Sequence, residues 1–517
     1  MPEPFRFVIT GRLGARTVAR TLEPSWRTAV EEARPVVRRY LDTFDWALWR
    51  SGGRLLVERD GRATRLRWEP AGGRSARTMR LEREPRFAAD LPAGVVRREV
   101  ADAAGERALL PAGQAEVRRT LVRVADGRAK TVARVWLETA RTAGEDAPTG
   151  PGRRTLRVEP LTGYAAAGAE VAARLAAVLP LAPDERDELA DAAAAAGRTP
   201  GDYTSKVAVR LTPGEPAERA VRRVLSRLLA TLAANVEGTV RDLDTEFLHD
   251  LRVATRRTRT CLGQLRGVLS PGTFAPFAEE FRWLGDATSL CRDLDVFLLD
   301  LEARRREVTP AAAANLGPLI AHLRARREEA HRALAGKLES ARFTKLVRRW
   351  QRVLGRRAPG GEDGARPIAE VAGERTLRTY RRLVRHGEAL PPDPPATAMH
   401  RLRIDAKKLR YLLEFFAGLW DAEAVAAVVR ELRAVQDALG RYHDAWIQSE
   451  QLPALGGELI AAGAGAGALL AMGELAAALN QRQAAELAAF ADRFAPFAAE
   501  ATRARLVELV AWPGGVR

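Results

Sequence analysis

His249-Asp250-Leu251-Arg252-Val253-Ala254-Thr255-Arg256-Arg257-Thr258-Arg259 returns later in the chain as His400-Arg401-Leu402-Arg403-Ile404-Asp405-Ala406-Lys407-Lys408-Leu409-Arg410. The offset is 151 residues, and without a gap it also aligns Glu280 with Glu431, Arg282 with Arg433, Asp286 with Asp437 and Asp293 with Asp444. A register held over that span marks two copies of one unit. From Ala217 to about Val510 apolar residues recur at helical spacing, with breaks at Ser270-Pro271-Gly272, Thr309-Pro310 and residues 355–367, 391–395 and 462–467. The expected fold of residues 217–512 is therefore all-α, with two pseudo-symmetric helical bundles at about 217–354 and 367–512.

At about 100° per residue, positions 0, 3, 7 and 10 of a helix fall within about an 80° arc. His249, Arg252, Arg256 and Arg259 thus form one stripe, and His400, Arg403, Lys407 and Arg410 form its twin. Leu251, Thr258, Leu262 and Leu265 occupy the opposite side, as do Leu402, Leu409, Leu413 and Phe416. Arg257 and Lys408 flank the ladders. Like charges at such spacing destabilise a helix by a few tenths of a kcal/mol per pair, so something compensates. Two compensations are open: carboxylates alone, or a ligand with several negative charges in a row around which Asp286, Asp293, Asp437 and Asp444 orient the cations. Arg219, Arg222, Arg223 and Arg227 precede the first ladder, and Arg375, Arg378, Arg382 and Arg385 the second, as further candidate binding stripes.

Upstream the patterning changes. Arg54–Glu58, Thr64–Trp68, Arg77–Leu81, Ala129–Thr139 and Thr155–Glu159 read as strands, with hairpin signals at Asp60-Gly61, Gly72-Gly73 and Asp126-Gly127. Tyr164–Ala196 reads as helix broken at Pro180 and Pro183, and residues 197–216, rich in proline and glycine, as a linker. Residues 1–196 are expected to be an α+β domain.

Lys+Arg number 83 against 66 Asp+Glu, a net charge of +17, and only six of the 83 are lysine. Such a balance nominates a polyanionic partner, although the excess is spread along the chain. Two cysteines, Cys261 and Cys291, exclude a disulfide framework and are expected in the core, and six histidines leave little for a Cys/His zinc site. His322, His331, His386 and His443 are read as structural. The opening MPEPFRFVIT is not a signal peptide and no run is long enough to span a bilayer, so a cytoplasmic protein is expected. No Ser/His/Asp or Cys/His nucleophile set is visible, and no catalytic residue, cofactor or metal is assigned.

The doubled ladder, with Arg292-Asp293-Leu294-Asp295-Val296, resembles the CHAD domain (conserved histidine α-helical domain) over roughly Val207–Val510. The resemblance implies a basic surface that binds inorganic polyphosphate, and association with polyphosphate granules. Residue by residue, it implies contacts from His249, Arg252, Arg256, Arg257 and Arg259 and from His400, Arg403, Lys407, Lys408 and Arg410. Tyr40-Leu-Asp42-Thr43-Phe-Asp45-Trp-Ala-Leu48-Trp-Arg-Ser-Gly52 is similar to a signature of the CYTH triphosphate-tunnel family, which implies a tunnel-like antiparallel β-barrel. That family opens with an E-x-E-x-K strand, where this chain has Phe5-Arg6-Phe7-Val8-Ile9-Thr10; its L-R-x-R is here Leu55-Leu56-Val57-Glu58. Glu159 is an acid retained on a later strand, and Arg65, Arg67, Arg77, Arg80, Arg118 and Arg134 are candidates to line the barrel. Without clustered carboxylates, metal-assisted hydrolysis is not expected. A metal-dependent triphosphatase is the enzymatic alternative.

The ladder chemistry agrees with that ligand. Guanidinium groups pair bidentately with phosphate oxygens and stay charged. Single-stranded nucleic acid calls for aromatic stacking platforms, whereas aromatic residues are 6% of the chain and neither ladder face contains one. Nucleic acid is the alternative partner. The oligomeric state is not legible.

Overall fold

A computed structural model describes residues 5–32, 35–61, 63–72, 74, 76–142, 152–184, 186–356 and 360–511. It separates into two compact units, Met1–Thr204 and Ser205–Arg517, so the expected linker is shared between them.

The first unit is one antiparallel sheet: β1 (Phe5–Ile9), β2 (Arg27–Glu32), β3 (Val36–Asp42), β4 (Arg54–Arg59), β5 (Thr64–Glu69), β6 (Arg77–Leu81), β7 (Leu110–Ala125), β8 (Thr131–Thr142), β9 (Arg153–Pro160) and β10 (Leu181–Pro183). The order is β10-β1-β9-β8-β7-β3-β4-β5-β6, and the long β7 also carries β2. Its helices are α1 (Ala15–Leu22), α2 (Ala47–Arg50), α3 (Val95–Ala104), α4 (Ala165–Val178) and α5 (Glu188–Ala195). The expected helix over 164–196 is interrupted by β10, because prolines 180 and 183 cannot continue one. Asp126 accepts the amides of Arg128 and Lys130 (both 2.9 Å), building its expected turn; Gly73 lies outside the described residues.

The backbone ladder does not close this sheet into a barrel, since β6 and β10 are its two ends. Side chains bridge the concave face instead. Arg6 on β1 reaches Glu69 on β5 (3.3 Å), and Arg67 on β5 reaches Glu159 on β9 (3.4 Å). The result is tunnel-like, joined across by ion pairs.

The second unit is all-α. Its first half is α6 (Ala217–Val240), α7 (Thr245–Gln264), α8 (Pro271–Ala287), α9 (Ser289–Arg304), α10 (Pro310–Asn315), α11 (Gly317–Leu338) and α12 (Ala341–Gly355). Its second half is α13 (Ile368–Glu388), α14 (Ala396–Phe416), α15 (Ala422–Ala461), α16 (Ala466–Ala488), α17 (Phe490–Ala498) and α18 (Glu500–Leu509). The starts of α6 and α13, α7 and α14, and α8 and α15 are each 151 residues apart, the offset of the sequence repeat. The halves exchange backbone contacts about a pseudo-two-fold axis: the Ala217 amide donates to the Arg366 carbonyl and the Ile368 amide to that of Glu215 (both 2.9 Å), while Pro216 bridges Pro367. These partners are one another's repeat equivalents.

Each ladder helix is held by the apolar side the sequence assigned. Leu251, Thr258, Leu402, Leu409, Leu413 and Phe416 are buried. The halves differ where α8 ends and α9 begins around Thr288, whereas α15 runs through. Among the described residues no helix is long and apolar enough to cross a membrane.

Candidate functional site

The two ladders meet at a cleft of about 410 Å³ on the pseudo-two-fold axis. Its walls are mostly pairs of repeat equivalents: His249 with His400, Arg252 with Arg403, Arg256 with Lys407, Arg292 with His443, Asp293 with Asp444, Val296 with Ile447, and Phe297 with Gln448; Val253 and Gln451 are unpaired. A 3.6-residue period places the first three pairs on facing stripes of α7 and α14, and α9 and α15 supply the rest.

The arginines are oriented differently in each half. In the first, the helix break exposes acceptors, and Arg252 Nη1 donates to Ser289 Oγ (2.7 Å), the Gly285 carbonyl (3.1 Å) and Thr288 Oγ1 (3.3 Å), with Asp293 at 3.7 Å. In the second, Arg403 has Asp444 at 3.5 Å, and its Nε is buried with no hydrogen-bond partner among the described residues. Arg256 crosses the axis: its Nε donates to Tyr411 Oη (2.6 Å) and its guanidinium lies 5.7 Å from that ring.

The cations crowd one another out of water. Burial, then Arg256 and Arg403, depress the Lys407 ammonium to about 6, with Asp444 opposing. Burial lowers both Arg252 and Arg403. His400 is lowered by burial, Arg403 and Lys407, and burial, Arg403 and His400 take His443, its ring tilted 4.8 Å away, to about 3. Burial also raises Asp293 and Asp444, so the site's two carboxylates do not neutralise it cheaply. Such a cluster is costly to the empty protein and favourable to an anion.

Other expected residues stand elsewhere. Arg259 is exposed over Gly285, where a Cβ would meet its Nη1 at 2.7 Å. Arg410 is drawn to Glu414 (2.7 Å) and Gln436 (3.3 Å) in an adjoining trough. Arg257 is buried on Glu414 and the Ser205 carbonyl (2.9 Å), and Lys408 sits 3.5 Å from Asp405: neither flanks the cleft, because each points off the stripe. Arg222 belongs to the packing, bonded to Glu218 and the Val353 carbonyl (both 2.6 Å) beside Phe274. Arg223 pairs with Glu215, Arg378 with Glu374 (2.5 Å) and Arg382 with Asp405 (3.1 Å). Arg219 is exposed, and none of these α6 and α13 arginines lines the cleft. Asp286 and Asp437 are exposed and orient no ladder cation.

Arg292, His443 and Tyr411 were not among the expected contacts. His443 lines the cleft, and Tyr411, on α14 but off its ladder stripe, meets Arg256. The repeat offset, which equates His443 with Arg292 of the quoted motif, was the available signal. Cys261 and Cys291 are buried, as expected. His322, His331 and His386 bind Glu458 (2.7 Å), the Thr239 carbonyl (2.8 Å) and Asp405 (2.8 Å).

The interior of the first unit is organised differently. Buried Arg38 holds Glu58 (2.8 Å), Glu138 (3.1 Å) and Glu188 (3.1 Å), and Arg119 adds a second contact to Glu58 (3.0 Å). The cations keep Glu58, Glu69, Glu138, Glu159 and Glu188 below the ordinary carboxylate range despite burial. About 40 Å³ remains, the scale of a water or two. Of the arginines expected to line this space only Arg67 does; Arg65, Arg80, Arg118 and Arg134 are exposed and Arg77 pairs with Glu99 (2.9 Å). Among the described residues no group of three or more His, Cys, Asp or Glu is placed to hold a metal. The signature that matched does turn-building work. Asp42 accepts the amides of Thr43 (2.7 Å), Leu48 (2.9 Å) and Trp49 (2.9 Å). Arg38→Ala would strand three carboxylates, and a loss of about 3–5 kcal/mol is expected, read as lost amide protection in β3, β4 and β8.

These two arrangements define a helical unit with doubled symmetry around a cationic cleft and a tunnel-like unit filled by its own ion pairs. Residues 223–453 match the CHAD domain family and are a CHAD domain. The chain is 25% identical over 285 residues to the uncharacterized protein Rv2226 of Mycobacterium tuberculosis, covering 52% of this chain and 53% of that one. It thus spans about half the length of that curated relative. The CHAD domain crystal structure from the plant Ricinus communis is 25% identical, covers 59% of this chain and 96% of its own, and superposes with a TM-score of 0.44. The Hippeastrum protein HpAC1, for which a dominant triphosphatase activity is described, is 13% identical, covers 39% of this chain and 99% of its own, with a TM-score of 0.25.

Proposed function

We propose that the CHAD unit binds inorganic polyphosphate in the two-fold cleft, and that the chain does so without catalysis. The observation that carries this is the pairing of the lining residues across the pseudo-two-fold axis. Inorganic polyphosphate is a linear anion whose two directions are chemically the same, so one set of donors serves it from either end. A polynucleotide has a direction and bases, and the aromatic side chains near the ladders are otherwise committed: Tyr411 is engaged by Arg256, and Phe297 in the cleft wall packs into the apolar core. The desolvated cations supply the driving force, and the orienting carboxylates fix guanidinium geometry without cancelling the charge.

The non-catalytic part rests on the first unit, whose interior carboxylates are committed to arginine. Catalysis there by a divalent ion would need carboxylates free to hold it against phosphate oxygens. The test is a competition titration on the full chain, with labelled long-chain polyphosphate displaced by single-stranded DNA at equal total charge, alongside phosphate release from tripolyphosphate with Mg²⁺ or Mn²⁺. Weak displacement and no release are expected. Displacement charge for charge would transfer the reading to nucleic acid, and metal-dependent release would restore the triphosphatase.

A further inference from the structure

The central cleft continues into a second cavity of about 1520 Å³, with which it shares His249, Arg256, Arg403, Lys407 and Asp444. This trough runs along α14 and α15, on one side of the pseudo-two-fold axis, and its outer wall is the extended stretch of residues 205–212. That stretch alternates. Val207, Val209 and Leu211 face the core, while Lys206 and Arg210 are exposed. It is seated by the Arg257 bond to the Ser205 carbonyl and by Gly418, where a Cβ would come within 2.9 Å of the Val209 carbonyl.

The other side of the axis is built differently. Gly267, the repeat equivalent of Gly418, is covered by the stretch leading into α13, through bonds from the Gly361 amide to the Val268 carbonyl (3.0 Å) and from the Asp363 amide to the Gly267 carbonyl (2.8 Å). A Cβ on Gly267 would meet Asp363 Oδ2 at 3.0 Å and Glu362 Oε1 at 3.3 Å. Glu362 and Asp363, the latter paired with Arg366 (2.7 Å) and Arg375 (2.8 Å), therefore stand where the first side presents backbone flanked by Lys206 and Arg210. In the trough, Arg210 and Arg433 are exposed and form no ion pair among the described residues. Of its acids, Glu414 is taken by Arg257 and Arg410, and Asp437 lies one helical turn from both Arg433 and Arg441.

We propose that a linear polyanion longer than the central cleft leaves it in one direction, along α14 and α15, where Arg210 and Arg433 hold the overhanging phosphates. The inference rests on the polyphosphate reading and adds a polarity that the repeat lacks. It is tested on the full chain with tripolyphosphate and long-chain polyphosphate as probes. The variant is Arg210→Glu with Arg433→Glu; the charge-matched control is Arg348→Glu with Arg352→Glu, exposed on α12 and lining neither cavity. The trough variant should lose about tenfold or more in long-chain affinity and stay within about twofold for tripolyphosphate, and the control should lose less than about threefold. An unchanged long-chain affinity in the trough variant, or an equal loss in the control, overturns the directional exit. A wild-type chain that binds neither probe overturns the polyphosphate reading beneath it.

Discussion

Replacing Arg252, Arg256, Arg403 and Lys407 together by alanine is expected to lower polyphosphate affinity by on the order of 10⁴-fold in a protein that still folds. Each group contributes a charge-assisted contact of about 1.5 kcal/mol, and about 1.4 kcal/mol is tenfold in affinity. Because the interaction is electrostatic, the variant should also respond less to salt, the slope of log K on log salt flattening by about 0.7 per cation removed. The fold should tolerate the change, because the helices are seated by Leu251, Leu402, Leu409 and Leu413 on their other sides. Relieving three mutually repelling, desolvated guanidinium groups and the buried amine they depress should leave the empty protein as stable or more so, whereas added polyphosphate should raise the melting temperature of the wild type alone. Isothermal titration and thermal melts read both. Affinity retained in a folded quadruple variant would sink the ladder assignment.

Why part of this site could be read from the chain and part could not has a physical basis. The repeat fixes which residues are equivalent, and helical periodicity fixes which of them share a side, so His249, Arg252, Arg256 and their twins stand together away from the apolar seam. Periodicity does not say how far along a stripe the neighbouring helix extends. Arg259 and Arg410, one turn beyond the cleft, therefore sit outside it. In a chain with so many arginines, cation stripes on α6 and α13 were indistinguishable from ligand-facing ones until partners were known; Glu215, Glu374 and Asp405 decide them. The sheet shows the same ambiguity at period two. Arg118 and Arg119 are adjacent: Arg118, the expected barrel arginine, is exposed, whereas Arg119 turns inward to Glu58. The resemblance of the first unit was carried by Asp42 and Thr43, which build a turn, so it reported the scaffold. The interior chemistry lies in the departures: Arg6 on β1 and Glu58 on β4 carry charge opposite to the motif's, and both are consumed in ion pairs.

The second large effect expected is a dependence of binding on pH that follows from Lys407. In the empty protein its ammonium is depressed to about 6 by burial beside Arg256 and Arg403, with Arg252 adding to the repulsion and Asp444 opposing it. His400 and His443 face the same space and are themselves lowered toward the neutral form, so they contribute little charge of their own in this range. A polyanion in the cleft reverses the sign of the local field and favours the protonated amine. The bound state then holds one more proton than the free state between pH 6 and the bound-state value, and affinity falls as pH rises through that window. With one proton taken up per event, the limiting slope is about tenfold per pH unit, so up to about 100-fold is expected to be lost between pH 7 and pH 9. Below about 6 this contribution vanishes, because Lys407 is already charged in both states. Lys407→Arg reproduces its repeat equivalent Arg256 and keeps the charge at any pH, so it should flatten the profile and bind more tightly than wild type at pH 9. Calorimetric titrations in two buffers of different ionisation enthalpy count the proton directly at constant ionic strength. A wild-type affinity that is flat from pH 7 to pH 9, or a slope that survives Lys407→Arg, would remove Lys407 from the linkage and leave the arginines as the source of the binding energy.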